Sequence, residues 1–194
     1  MWKRLLIVTA FALAFVPNAA ARGGFYTFDG GTRAEQAQVR AALDASSFDW
    51  SVVPATVTVH VGRAVSPHAI AGQIWLDAGL LDAGRFSWGV VQHEYAHQVD
   101  FLVLTDPMRA RLHPLLKGAS WWGGAHSDLD CERFADALAW AYWPSPDNVM
   151  RPESETDEGG QVDPAALRAM LAQLLPSTLR TTAARTGRAS HPKG

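Results

Sequence analysis

Residues 88–101 read Trp-Gly-Val-Val-Gln-His-Glu-Tyr-Ala-His-Gln-Val-Asp-Phe, and apolar side chains recur through them at helical spacing. Within this stretch His93, Glu94 and His97 form the pattern His-Glu-x-x-His. Residues four apart on an α-helix lie one above the other, so both imidazoles can reach a single metal ion while Glu94 lies beside it. The stretch therefore predicts a helix with a metal site on one face.

A second segment has to complete such a site, because a catalytic zinc ion usually takes three protein ligands and keeps its fourth position for water. Residues 128–143 are rich in Ala and contain neither Gly nor Pro, which favours a helix. In this helix Glu132 and Asp136 are four apart and share one face. We expect Glu132 to bind the metal and Asp136 to orient a ligating imidazole. If Glu132 does not bind, the alternative third ligands are Asp136, Asp128 and His126.

With these two segments the chain resembles the gluzincins, zinc peptidases that carry His-Glu-x-x-His on one helix and a Glu ligand on a later one. Residues 132–136, Glu-Arg-Phe-Ala-Asp, are similar to the Glu-x-x-Ala-Asp pattern of the branch that contains the CAAX prenyl proteases. The resemblance implies Zn²⁺ as cofactor, Glu94 as general base and a peptide or protein substrate. It covers these two helices only, and the sequence has no membrane segment besides the amino-terminal one, which is a departure from that branch. The implied metal ligands are His93, His97 and Glu132.

The amino terminus has the features of a secretory signal peptide. Lys3 and Arg4 precede an apolar run at 5–16, and small residues at 19–21 suit signal peptidase. The run is short for a membrane span. We therefore expect residues 1–21 to be cleaved near Ala21, which predicts a secreted protein without stable membrane insertion; an uncleaved anchor is the alternative.

The remaining chain is predicted to be one domain, residues 22–175, followed by a disordered tail, 176–194, which lacks acidic residues. Without the signal the chain has 15 basic and 19 acidic residues, a formal charge of about −4, so we expect no nucleic-acid partner. Cys131 is the only cysteine, which excludes an internal disulfide. We expect it to be a buried apolar residue that does not share an ion with Glu132, because adjacent helical positions point about 100° apart.

The rest of the pattern predicts an α+β fold of zincin-like architecture, with a small sheet whose edge strand packs on the His-Glu-x-x-His helix. A helix over 32–45 has Thr32 as its N-cap, and alternation at 55–61 predicts a half-buried strand. Gly72–Asp77 is predicted to be the edge strand that binds a peptide substrate by adding it to the sheet. An ordinary paired strand is the alternative. Further helices are predicted from Asp106 and over 164–175.

Two residues are candidates for stabilising the transition-state oxygen: His126, in a loop with Trp121 and Trp122, and Tyr142 on the second helix. The function that these predictions favour is a zinc metallopeptidase in which Glu94 activates water. One alternative is a secreted zinc-binding domain without turnover. It is disfavoured by Glu94, which a purely structural site does not need. Another is a metal-free domain that binds a partner or the cell wall.

Overall fold

The computed structural model describes residues 23–154, 157 and 162–175. The predicted signal peptide, residues 1–21, and the predicted tail, 176–194, lie outside these residues. Within them the chain forms a mixed α/β structure with a four-stranded sheet and six α-helices, which is compatible with the predicted α+β class. None of the helices in this part of the chain is long and apolar enough to cross a lipid bilayer.

The sheet has the strand order β1-β2-β4-β3. Strand β2 pairs in parallel with both β1 and β4, whereas β3 runs antiparallel to β4. The predicted alternation in β2 is confirmed, since Val57, Val59 and Val61 are buried and the residues between them are partly exposed. The strands are β1 (Tyr26–Gly30), β2 (Val57–Gly62), β3 (His68–Ile70) and β4 (Gln73–Asp77).

The prediction that Gly72–Asp77 is an edge strand is wrong. Strand β4 covers Gln73–Asp77 and lies between β2 and β3, so its backbone is paired on both sides. The edge next to it is β3, which has only three residues and is therefore too short for alternation to show. The chain turns between the two strands at Ala71 and Gly72, where the φ angle of Gly72 is +79°, a value that glycine adopts without strain.

Several of the six α-helices in the described part of the chain begin where the sequence predicts. Thr32 caps the first helix in a capping box: the Thr32 hydroxyl accepts from the Glu35 backbone N–H, and the Glu35 carboxylate accepts from the Thr32 N–H. The helices are α1 (Arg33–Ala45), α2 (Ala78–Leu81), α3 (Trp88–Leu102), α4 (Asp106–Leu116), α5 (Asp130–Tyr142) and α6 (Pro164–Leu174).

Helix α3 occupies the centre of the molecule and packs against α1, α5 and β3. Its polar side chains make specific contacts inside the protein: Gln92 donates to the Ala42 carbonyl of α1 at 2.7 Å. Gln98 donates to the Ile70 carbonyl of β3 at 2.9 Å and accepts from the Gly72 N–H at 2.7 Å. The two bonds of Gln98 hold strand β3 and the turn at Gly72 against α3, and so they determine which residues of the sheet edge face the His-Glu-x-x-His segment.

Candidate metal centre

Helix α3 places His93, Glu94 and His97 in buried positions, each with less than a tenth of its surface exposed. The i, i+4 spacing brings the Nε2 atoms of the two imidazoles to 3.1 Å from each other. A ligand atom of Glu94 lies within 4.8 Å of those of both histidines. Tyr95, between them in sequence, packs on Trp50 in the core.

Helix α5 brings a carboxylate to the same point. The Oε2 atom of Glu132 lies 3.4 Å from Nε2 of His93 and 3.4 Å from Nε2 of His97. Donor atoms of a tetrahedral zinc site with bonds of about 2.0–2.1 Å lie about 3.3–3.4 Å apart. The three atoms therefore form a triangle of the size that one zinc ion requires. Glu94 lies within the same group, but it is the Oε2 atom of Glu132 that lies at the donor–donor distance of a zinc site from both Nε2 atoms.

Asp136 contacts the outer nitrogen of His93, as the sequence predicts. The Oδ1 atom of Asp136 lies 2.7 Å from Nδ1 of His93. Because a carboxylate accepts, this contact assigns a proton to Nδ1 and directs the unprotonated face of a neutral His93 ring toward His97 and Glu132. The opposite nitrogen of His97 differs: within the described residues, its buried Nδ1 has no hydrogen-bond partner.

The electrostatics of this cluster favour a bound cation. Burial by itself lowers the pKa of His93, but hydrogen bonds to Asp136 and Glu132 outweigh burial and raise the pKa to about 10. Burial would raise the pKa of Glu132, yet the hydrogen bonds from the two histidines hold it well below its ordinary value. Because two imidazole nitrogens and a carboxylate oxygen lie within 3.4 Å of one another, the cluster has a place for one proton or one metal ion between them.

Glu94 responds differently from Glu132. Burial is the largest influence on its carboxyl group and raises its pKa above the ordinary value, while the two histidines act in the opposite direction. A carboxyl group with a raised pKa is suited to accept and return a proton near neutral pH. The pKa of Glu132 is therefore lowered, as expected of a metal ligand, whereas the pKa of Glu94 is raised, as expected of a general base.

A cavity of about 260 Å³ opens onto these residues. Its lining includes His68 and Ala69 of the edge strand and the rings of Phe101 and Trp122. Phe101 stacks on His97 at 5.9 Å and on Trp122 at 5.7 Å. The sequence analysis missed His68 and Phe101. Phe101 had a signal, since it follows His97 by four residues, but no spacing connects His68 with the motif.

Of the two residues predicted to stabilise an oxyanion, one reaches the cavity. His126 lies in the short 3-10 helix at His126–Asp128, and its Nε2 is 3.2 Å from Oε2 of Glu132. Tyr142 does not come near. It packs on Phe48 at 5.0 Å, and it follows Glu132 by ten residues, about 15 Å along the helix axis. The prediction for Tyr142 fails because α5 carries this residue away from the cluster of His93, His97 and Glu132.

Cys131 is buried, as predicted, and burial raises the pKa of its thiol to about 12. Its Sγ donates to Oε1 of Glu132 at 3.7 Å, while the other carboxylate oxygen of Glu132, Oε2, faces the two imidazoles. Asp128, an alternative third ligand, is more than half exposed and lies 3.7 Å from Arg133. Neither residue takes the position of Glu132 beside the two rings.

Comparisons with protein-family models, curated proteins and solved structures find no match to this chain. The interpretation of the site therefore depends on its own geometry. That geometry joins two helices distant in sequence, His93 and His97 from α3 and Glu132 from α5, around one point beside an open cavity.

Proposed function

We propose that the protein is a zinc-dependent metallopeptidase of zincin-like fold. His93, His97 and Glu132 hold the ion, and Glu94 is the general base. One observation carries the proposal: the three donor atoms lie 3.1–3.4 Å from one another, close to the spacing of a tetrahedral zinc site. When bound, Zn²⁺ lowers the pKa of a coordinated water toward about 7 and polarises a carbonyl oxygen.

Glu94 supplies the proton transfer in this proposal. Its carboxylate lines the cavity next to His97, close enough to accept a proton from the attacking water and pass it to the leaving amine. Its raised pKa, caused by burial, brings the carboxyl group closer to neutral pH. Asp136 holds His93 in the tautomer that leaves Nε2 for the metal.

The sheet edge supports a peptide as the substrate. Strand β3 forms one wall of the cavity, and it is the last strand of the sheet on that side among the described residues. An extended peptide can add to such an edge through backbone hydrogen bonds, so that one of its carbonyl groups faces Glu94. The role first expected of Gly72–Asp77 thus passes to His68–Ile70. The amino-terminal pattern supports export of the protein. The mass of the purified mature chain shows whether residues 1–21 have been removed.

A zinc site without turnover is the second candidate, and His126 favours it. Its Nε2 lies 3.2 Å from Glu132 Oε2, so this imidazole can supply a fourth donor, and structural zinc sites have four protein ligands. Glu94 favours the catalytic function instead, because a structural zinc site with four protein ligands does not require a buried carboxyl group beside the metal.

Replacing Glu94 by Gln separates the two functions. We expect the Glu94→Gln variant to bind as much zinc as the wild type and to cleave a peptide library about 10²–10⁴-fold more slowly, because general-base catalysis contributes a factor of that size. Asp106→Asn, a change at a 95% exposed carboxylate, is the control and should leave cleavage unchanged. Equal cleavage by wild type and Glu94→Gln contradicts the proposed base. No cleavage by zinc-loaded wild type favours the second candidate.

A further inference from the structure

The segment from Ala119 to Leu129 forms a loop that is closed at its base. The Ala119 N–H donates to the Asp128 carbonyl at 2.8 Å, and the Asp130 N–H donates to the Ser120 carbonyl at 2.9 Å. Between these bonds the chain passes through Gly123 and Gly124, both at positive φ, and a Cβ at Gly123 would meet no atom within 4 Å. There is therefore free space around Gly123 at the tip of the loop, whereas the two hydrogen bonds attach the base of the loop to the start of α5.

This loop brings an imidazole nitrogen to the carboxylate of the cluster. Nε2 of His126 lies 3.2 Å from Oε2 of Glu132, close to the 3.4 Å that separates Oε2 from each ring of α3. The His126 side chain is 70% exposed, whereas those of His93 and His97 are about a tenth exposed. His126 therefore approaches the cluster from the solvent side, where a catalytic zinc site has its water.

The loop also contacts the cavity wall. Trp122 stacks on Phe101 with an interplanar angle of 11°, and the guanidinium group of Arg109 lies 5.5 Å from the Trp122 ring centroid. Trp122 is 49% exposed, so its contact with Phe101 covers only part of the ring. A substrate side chain that enters the cavity would compete with Trp122 for the face of Phe101.

We propose that His126 is a displaceable fourth zinc ligand and that the 119–129 loop closes the site at rest and withdraws His126 when a substrate enters. This inference rests on the proposed zinc site. It explains why one site contains both Glu94, a base suited to catalysis, and His126, a fourth donor of the kind found in structural sites. Entry of a peptide replaces the contacts of both His126 and Trp122, which couples substrate binding to the opening of the fourth position.

Cobalt substitution tests the coordination directly, because the visible absorption of Co²⁺ depends on the number and type of its ligands. We compare wild type, His126→Ala and His68→Ala, the last being an exposed histidine that lines the same cavity. We expect His126→Ala to change the spectrum and to weaken Co²⁺ binding roughly ten- to a hundredfold, since one of four ligands is lost. His68→Ala should retain the wild-type spectrum and affinity.

Acetohydroxamate, a small zinc-binding anion, tests displacement. It should alter the wild-type Co²⁺ spectrum and should bind His126→Ala about tenfold more tightly, because it no longer competes with the imidazole. An unchanged spectrum and affinity in His126→Ala overturn His126 as a ligand and leave the zinc site intact. A wild-type spectrum that saturating acetohydroxamate does not alter overturns displacement. Failure of wild type to bind Co²⁺ or Zn²⁺ instead contradicts the proposed function itself.

Discussion

Two clusters of buried charge lie one helical turn apart on α3, and they are built in opposite ways. The carboxylate of Asp100 has no exposed surface and is surrounded by donors: Arg109 Nε at 2.9 Å and Trp121 Nε1 at 3.0 Å. The carboxylate of Glu132 instead faces the Nε2 atoms of His93 and His97. The Asp100 cluster is complete as protein alone, whereas the Glu132 cluster needs a proton or a metal ion between its members.

The two carboxyl groups differ in pKa accordingly. Burial raises the pKa of Asp100 even though Arg109 and Trp121 act against it, whereas the two histidines lower the pKa of Glu132 despite burial. Burial of a carboxylate is thus a poor indicator of function by itself. The groups around the carboxylate distinguish the two cases. Hydrogen-bond donors from separate segments indicate a structural role, and acceptors that converge on one point indicate a cation site.

The largest effect is expected at the structural cluster. Asp100→Ala removes the buried carboxylate that pairs with Arg109 and leaves this mostly buried guanidinium group only the exposed carboxylate of Asp106, which we expect to lower the free energy of unfolding by about 3–5 kcal/mol. Zinc stoichiometry in the fraction that remains folded should not change. Urea unfolding followed by circular dichroism measures the first quantity and metal analysis the second. A loss of zinc from folded Asp100→Ala protein contradicts the separation of the two clusters.

A smaller effect is expected next to the metal ligands. Asp136→Asn keeps the shape of the side chain but removes the charge that fixes the His93 tautomer. We expect zinc affinity to fall about 10–100-fold, as is usual when such a supporting carboxylate is changed. Competition with a chromophoric chelator measures this affinity. If Asp136→Asn binds zinc as tightly as wild type, His93 does not depend on this carboxylate.

The smallest effect is expected far from both clusters. Tyr142→Phe removes a hydroxyl from a residue that packs on Phe48, about 15 Å along α5 from Glu132. We expect peptide cleavage to remain within about twofold of wild type and unfolding to change by less than about 0.5 kcal/mol, as for most substitutions away from special sites. Steady-state kinetics check this outcome. A hundredfold loss of cleavage would restore Tyr142 as an oxyanion donor and would contradict its position here.

Local patterns are sufficient for the five longer α-helices and for strands β2 and β4, but they do not predict the four-residue helix α2 or the strands β1 and β3. The i, i+4 spacing of His93 and His97 and the alternation of Val57, Val59 and Val61 each report a single element, and such elements were predicted within a few residues. The i, i+4 spacing of Glu132 and Asp136 predicts that both point to one side of α5, and the structure places both in contact with His93. The contact between Asp136 and His93 follows from two predicted helices and a pairing of known chemistry.

Pairing between distant segments was not predictable in the same way. Strand β3 has three residues and no alternation, so its position at the edge follows from the turn at Gly72 and from Gln98, which bonds to Ile70. A glycine-containing two-residue turn between apolar runs was the available signal. The position of Tyr142 depends on the direction of α5 relative to α3, and no residue spacing reports that direction.

Zinc binding by wild type and Glu132→Ala tests most directly whether two helices build one metal site. Asp128→Ala, which removes a nearby exposed carboxylate, is the matched control. We predict one zinc ion per wild-type chain and an affinity at least about 100-fold lower in Glu132→Ala, because site free energies on the order of 10–16 kcal/mol are shared by a few ligands. Asp128→Ala should match wild type. Zinc-free wild type, or equal zinc affinity in Glu132→Ala and wild type, would contradict the account.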